Sequence, residues 1–230
     1  MKRNLLFSSF MGALATAIMT LSLVGVTGPN SAAASAAGNV ITLTGTDSKT
    51  VPGNLSAGVY FLRGKGGDGF LSLTIKDKAD EVLYIDVISD PAATKLVAVG
   101  DEGFKPGDVI FEIDAMGPWT LTITKADVSA ATALPQVLAG AEMADVISQP
   151  FKAGGNLTVS YTYKAEPTGT GTLVIWNVGT GKSVPMTMAQ MMYAPKTSGG
   201  WTMTLPETGV YIGRTTFPKG SAGGEVKLSQ

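Results

Sequence analysis

From Val109 to Thr124 the chain alternates apolar and polar residues with a period of two. Val109, Phe111 and Ile113 occupy one set of positions, with Ile110, Glu112 and Asp114 between them. After Ala115-Met116-Gly117-Pro118, Trp119, Leu121 and Ile123 alternate in the same way with Thr120, Thr122 and Thr124. Successive side chains leave a strand on opposite faces, so this pattern fits half-buried strands and no helix. Gly117-Pro118 is turn chemistry, and two alternating runs around a turn predict an antiparallel hairpin with one dry and one wet face. A chain built this way is constrained to an all-β sandwich.

The same grammar recurs along the chain. Strands are expected at 40–44, 58–63, 70–76, 82–88, 95–99, 109–114 and 119–125, separated by Gly-, Pro- and Asp-rich turns. A second set is expected at 146–151, 156–163, 171–178, 183–188, 201–205, 210–216 and 225–229. Seven short strands, each followed by a turn signal, is the pattern of one sandwich. Residues 128–142 are rich in Ala, lack alternation and contain Pro135, so they read as a linker. The predicted organisation is a signal peptide over 1–36, a β-sandwich over 37–127, the linker over 128–142 and a second β-sandwich over 143–230. The fold class is all-β, with two tandem antiparallel, jelly-roll-like sandwiches. Several segments echo between the halves: Pro106-Gly107-Asp108-Val109-Ile110-Phe111 resembles Glu207-Thr208-Gly209-Val210-Tyr211-Ile212 in character.

The N-terminus points to export. Met1-Lys2-Arg3 is a short positive stretch, an apolar run follows, Gly28-Pro29 breaks it, and Ala-x-Ala sites lie between Ala32 and Ala36. The mature chain is expected to begin between Ser35 and Gly38, with no stable membrane insertion once the signal is removed. The 230 residues include no Cys, which excludes a lipoprotein anchor and a disulfide framework. Lys and Arg number 17 against 18 Asp and Glu, so nothing suggests a nucleic-acid surface. Within this balance, residues 37–127 carry 8 basic and 13 acidic side chains and residues 128–230 carry 7 and 5. The halves therefore differ in sign, at −5 and +2.

The order Ala57-Gly58-Val59-Tyr60, a mid-domain strand, Gly107-Asp108-Val109 with Phe111-Glu112-Ile113, then Gly117-Pro118-Trp119-Thr120-Leu121-Thr122-Ile123 resembles secreted bacterial β-sandwich modules of the pre-peptidase C-terminal and CUB-like kind. The resemblance covers residues 38–125 and extends more loosely into the second half. It implies an accessory, binding or surface role and supplies no catalytic residues.

The residue types narrow the chemistry. Without His or Cys there is no Ser-His-Asp or thiol machinery and no usual zinc site. Acids on loops suit Ca²⁺, so Asp77, Asp80, Glu81, Asp101 and Glu102 are the candidate ligands of a structural calcium ion; no other cofactor is indicated. Met186, Met188, Met191 and Met192 have a spacing that suits Cu(I) but read better as an adaptable apolar patch. Trp119 and Trp201 share a face with apolar partners and are expected in the core. Trp176 has an ambiguous facing and is the candidate ligand contact. Leu205-Pro206-Glu207-Thr208-Gly209 matches the L-P-x-T-G motif cleaved by Gram-positive sortases, but Val210 opens another alternating run, so the motif reads as a turn. The expected role is a secreted, non-catalytic structural or adhesive protein of the cell surface or matrix. Its expected partners are copies of itself or a surface polymer. The alternative is a polysaccharide-binding module.

Overall fold

The computed structural model describes residues 35–37, 39–66, 70–193 and 196–230, with only the backbone described at 35–37, 189 and 191–193. The signal-peptide reading of residues 1–36 falls almost wholly outside the described residues. The first half consists of β1 (Ser35–Ala37), β2 (Val40–Gly45), β3 (Lys49–Leu55), β4 (Gly58–Gly66), β5 (Leu71–Lys76), β6 (Val82–Ile88), β7 (Lys95–Val99), β8 (Gly107–Asp114) and β9 (Trp119–Lys125). The second consists of β10 (Gln136–Gly140), β11 (Asp145–Ile147), β12 (Phe151–Ala153), β13 (Asn156–Tyr163), β14 (Gly171–Asn177), β15 (Met192–Tyr193), β16 (Ser198–Thr204), β17 (Gly209–Thr216) and β18 (Gly224–Ser229).

The chain is all-β and forms two tandem sandwiches. In the first, a sheet ordered β1-β2-β9-β4-β7 faces one ordered β3-β8-β5-β6. In the second, β10-β18-β13-β16 faces β11-β17-β14-β15, with β12 also paired to β17. Set β1 aside, count β11 and β12 as one broken strand, and number the strands in each half from one to eight. Both halves then read 1-8-3-6 over 2-7-4-5, the strand order of a jelly roll. The repeated sequence segments lie on equivalent strands: β8 and β17 carry the Gly107–Phe111 and Gly209–Ile212 pattern.

Each sandwich has its own core. Leu62, Leu73, Phe111, Trp119 and Leu121 belong to the first, and Leu157, Ile175, Tyr211, Phe217 and Leu228 to the second. Alternation drives this segregation. On β9, Trp119, Leu121 and Ile123 are buried while Thr120 is exposed. Burial of each large apolar side chain contributes about 1.5–3 kcal/mol, and in a chain without cysteine these terms must carry the fold.

The expected hairpin between 109–114 and 119–125 does not form. β8 pairs with β3 and β5, whereas β9 pairs with β2 and β4 in the opposite sheet. The Ala115–Pro118 turn carries the chain across the sandwich, and the two runs meet face to face through the core. Period two dictates which side chains point inward; it does not name the hydrogen-bonding partner. Trp119 fastens the crossover: its indole N–H donates to the Asp47 carbonyl at 2.8 Å, tying the start of β9 to the β2–β3 turn.

One further strand in each half, β3 and β10, also escaped the pattern. β3 contains Pro52-Gly53, which blurs the alternation, and it lies at a sheet edge where a proline is tolerated. β10 lies inside the stretch read as linker and pairs with β18, but only Leu138 of it is buried. Pro150 divides the expected strand 146–151 into β11 and β12. In place of a strand at 183–188, Ser183 makes a single bridge to Trp176, and a short helix α1 (Met188–Met191) follows.

Pro206-Glu207-Thr208 turns the chain from β16 into β17. The Tyr211 hydroxyl donates to the Glu207 carbonyl at 2.7 Å, and Leu205 is buried. Scission after Thr208 would remove β17 and β18, each an interior strand of its sheet.

Trp119→Ala is expected to destabilise the protein by about 3–5 kcal/mol, the range for deleting a buried aromatic. Thr120→Ala, one residue along on the wet face, is expected to cost well under 1 kcal/mol. Urea unfolding of both variants, followed by circular dichroism, checks the contrast.

Candidate functional site

Strand parity leaves two apolar outer faces, and the structure packs them together. On β4, Tyr60 and Leu62 point into the first core, so Val59 and Phe61 point out; on β7, Leu96 and Ala98 point out beside them. On β14 and β17, Ile175 and Tyr211 point into the second core, and Trp176, Val210 and Ile212 point out. These residues, with Ala126, Ile147 and Val178, form a third apolar cluster between the sandwiches. Four sheets are thereby layered around two cores and one junction.

Polar contacts fix the junction in register. The Asp101 carboxylate accepts from the Ser183 hydroxyl at 2.9 Å, the Ser183 N–H at 3.3 Å and the Trp176 indole N–H at 3.2 Å. The Val59 N–H donates to the Val178 carbonyl at 3.3 Å. The β14 end is shaped by Asn177, whose side-chain oxygen accepts from the Gly179 and Thr180 N–H groups at 2.9 and 3.1 Å. This turn pushes backbone against backbone. A Cβ at Gly100 would lie 2.1 Å from the Thr180 oxygen, and one at Gly181 would lie 2.0 Å from the Val99 oxygen. Both glycines also have positive φ, at 119° and 70°.

Charged groups frame the same contact. Lys95 pairs with Asp86 at 3.3 Å in the first sandwich, and Arg214 pairs with Asp145 at 2.6 Å in the second. Burial pushes the Asp145 carboxyl up, but the Thr216 hydroxyl, Arg214 and the charge of Lys95 across the junction together hold it below the ordinary aspartate value. Tyr84, whose hydroxyl donates to Asp86 at 2.7 Å, is raised well above the usual phenol range. Burial is the main cause, followed by the bond to Asp86 and its charge.

Beside the junction, the outward face of the first sandwich's β4 and β9 and a segment of the second sandwich line a cleft of about 830 Å³. Phe61, Arg63, Thr122 and Thr124 line the sheet side, the β6–β7 connection contributes Thr94, and Gln149 lies on the opposite wall. The Arg63 Nε–H donates to the Thr94 hydroxyl at 2.9 Å.

Trp176 faces outward and is half-buried in the junction, with its indole N–H bonded to Asp101. Its ambiguous parity reflects an outer face that is itself apolar. The calcium candidates fall into two groups. Asp77, Asp80 and Glu81 lie in the β5–β6 turn. There Asp77 Oδ1 accepts from the Ala79 and Glu81 N–H groups at 2.8 and 2.9 Å, and Asp80 pairs with Lys76 at 3.0 Å. Asp101 and Glu102 follow β7, and the Asp101 carboxylate meets the second sandwich. Among the described residues, no three acids converge as a metal site. Met186 packs against the second core and Met188 is exposed; the side chains of Met191 and Met192 lie outside the described residues. Sequence reasoning missed Arg63 and Phe61 because neither belongs to a motif. Their outward parity on β4 was the available signal.

No protein-family model matches the chain, and no curated protein matches it in sequence. Among solved structures it is similar to an oxalate decarboxylase studied for its substrate binding mode and reaction specificity switch. Identity is 8% and the TM-score 0.23, with 83% of this chain and 68% of that chain covered. A Bacillus subtilis oxalate decarboxylase studied for its Mn(II) centers gives 8% identity and a TM-score of 0.22 over the same shares. Likeness at this level carries no inference about fold or chemistry.

A carboxylate held below its ordinary pKa contributes stability above the unfolded value, and that stability is lost as pH falls through the folded value. Asp145 is therefore expected to make the protein progressively less stable below about pH 4, the ordinary aspartate range. Asp145→Asn is expected to flatten that part of the stability curve. Thermal unfolding of both proteins between pH 6 and pH 3 checks it.

Proposed function

We propose that this chain is an exported, non-catalytic adhesive protein of the cell surface or extracellular matrix, working as one rigid two-sandwich body that holds a surface polymer. The observation that carries this reading is the junction. An apolar cluster, the Asp101 hydrogen bonds and the Gly100 and Gly181 backbone approach join the sandwiches, and an open cleft lies directly beside them. A fixed angle between two modules suits bearing load or presenting a surface. The export-like N-terminus and the resemblance to secreted accessory sandwiches support the same role. Among the acids of the first half, Asp77 accepts from turn amides, Glu112 pairs with Lys76 and Asp101 reaches the neighbouring sandwich, as structural carboxylates do.

The test is fractionation of cells producing the full chain with a C-terminal tag. The mature protein is expected in the envelope or matrix fraction, retained on insoluble surface polymer and released by high salt or soluble competing polymer. Recovery in the cytoplasm, or free in the medium with no retention on polymer, would contradict the proposal.

A further inference from the structure

The cleft beside the junction has a chemical character of its own. Outward residues on β4 run Phe61, Arg63, Lys65, and register places Thr124, Thr122 and Thr120 of β9 directly beside them. Thr42 and Thr44 of β2 stand next to Thr122 and Thr120. The result is a row of hydroxyls flanked by two exposed cations and one half-buried ring. No outward-facing residue on β2, β9 or β4 within this strip is acidic, although the first half as a whole has a net charge of −5. The positive character is local.

The other charges lining the cleft are already occupied. Asp145 is bound by Arg214 and Thr216. Asp127 accepts from both the N–H and the hydroxyl of Ser129. The Lys125 ammonium donates to the Ser56 hydroxyl at 2.8 Å and lies over the Tyr60 ring. Arg63 differs. Its Nε–H is held by Thr94 at 2.9 Å, and among the described residues its two terminal nitrogens meet no protein acceptor. A guanidinium anchored at one edge and open at the other presents the paired donors that match a carboxylate. A ring beside it offers an apolar surface to a sugar face, and threonine hydroxyls both donate to and accept from sugar hydroxyls.

We infer that this cleft binds an acidic polysaccharide, with Arg63 taking a uronate carboxylate, Phe61 packing against the sugar ring, and Thr122 and Thr124 bonding its hydroxyls. Lys65, one strand repeat beyond Arg63, extends the cationic edge toward the next sugars. The inference rests on the adhesive reading above and gives that reading its ligand class.

Calorimetric titration of the full chain with oligogalacturonate at low salt tests the site, with a neutral dextran oligomer for comparison. Binding of the uronate chain and not the neutral one is expected. Arg63→Ala should weaken it about tenfold or more, as the loss of a charge-assisted pair does. Arg63→Lys should restore only part of the affinity, and Thr122→Val should weaken it further. Lys227→Ala, on the far sheet of the second sandwich, is expected to change nothing. Arg63 and Thr122 lie outside both cores, so the variants should fold, and circular dichroism verifies this. Retention on surface polymer that survives Arg63→Ala, or equal binding of the neutral chain, would overturn the cleft assignment and leave the adhesive reading standing. Absence of binding to oligogalacturonate together with absence of retention on surface polymer would overturn both.

Discussion

The contact between Gly100 and the Thr180 carbonyl, mirrored by Gly181 and the Val99 carbonyl, is the constraint on which the rest of the molecule depends. Two jelly rolls with separate cores, joined only by a connecting segment without regular packing, would be free to swing. Here the backbones approach so closely that a single methyl group would collide with a carbonyl oxygen. That approach brings Val59, Leu96, Val178 and Ile212 into one buried apolar cluster. Side-chain dispersion falls off steeply with separation, so a junction held a fraction of an ångström wider would lose much of its attraction. The polar bonds of Asp101 add direction to a contact whose energy is mainly apolar.

Strand parity then links the junction to the cleft. β4 serves three tasks at once. Its inward residues fill the first core, Val59 fills the junction, and Phe61 and Arg63 reach the open face. The cleft exists because the second sandwich covers the β4 and β7 side of that face and leaves β9 and β2 uncovered. Its walls come from both sandwiches, so its shape is only as constant as the angle between them. A junction that held the sandwiches loosely would present a cleft of no fixed width.

Much of this was legible in the sequence, and the parts that were not have physical reasons. The inward-facing residues of β5, β8, β9, β13, β14 and β18 follow from alternation, since burial of one face is what selects it. The pairing of β8 with β5 rather than β9 was hidden, because a turn between sheets and a turn within a sheet use similar residues. β3 and β10 were hidden because edge strands bury little and tolerate Pro52 or a polar run. Trp176 was ambiguous for a related reason. A surface that packs against a second sandwich is apolar on the outside, so its strand loses the contrast that reveals parity. Arg63 carries no motif, and its role depends on what register places beside it.

A junction built this way makes the two sandwiches move as one body. Backbone ¹⁵N relaxation on the mature chain measures this directly, because amides in each half report the tumbling of the unit they belong to. One rotational correlation time shared by the amides of β8 and β18, appropriate to the whole chain, is the predicted result. Two distinct and shorter correlation times, each appropriate to a single sandwich, would contradict it.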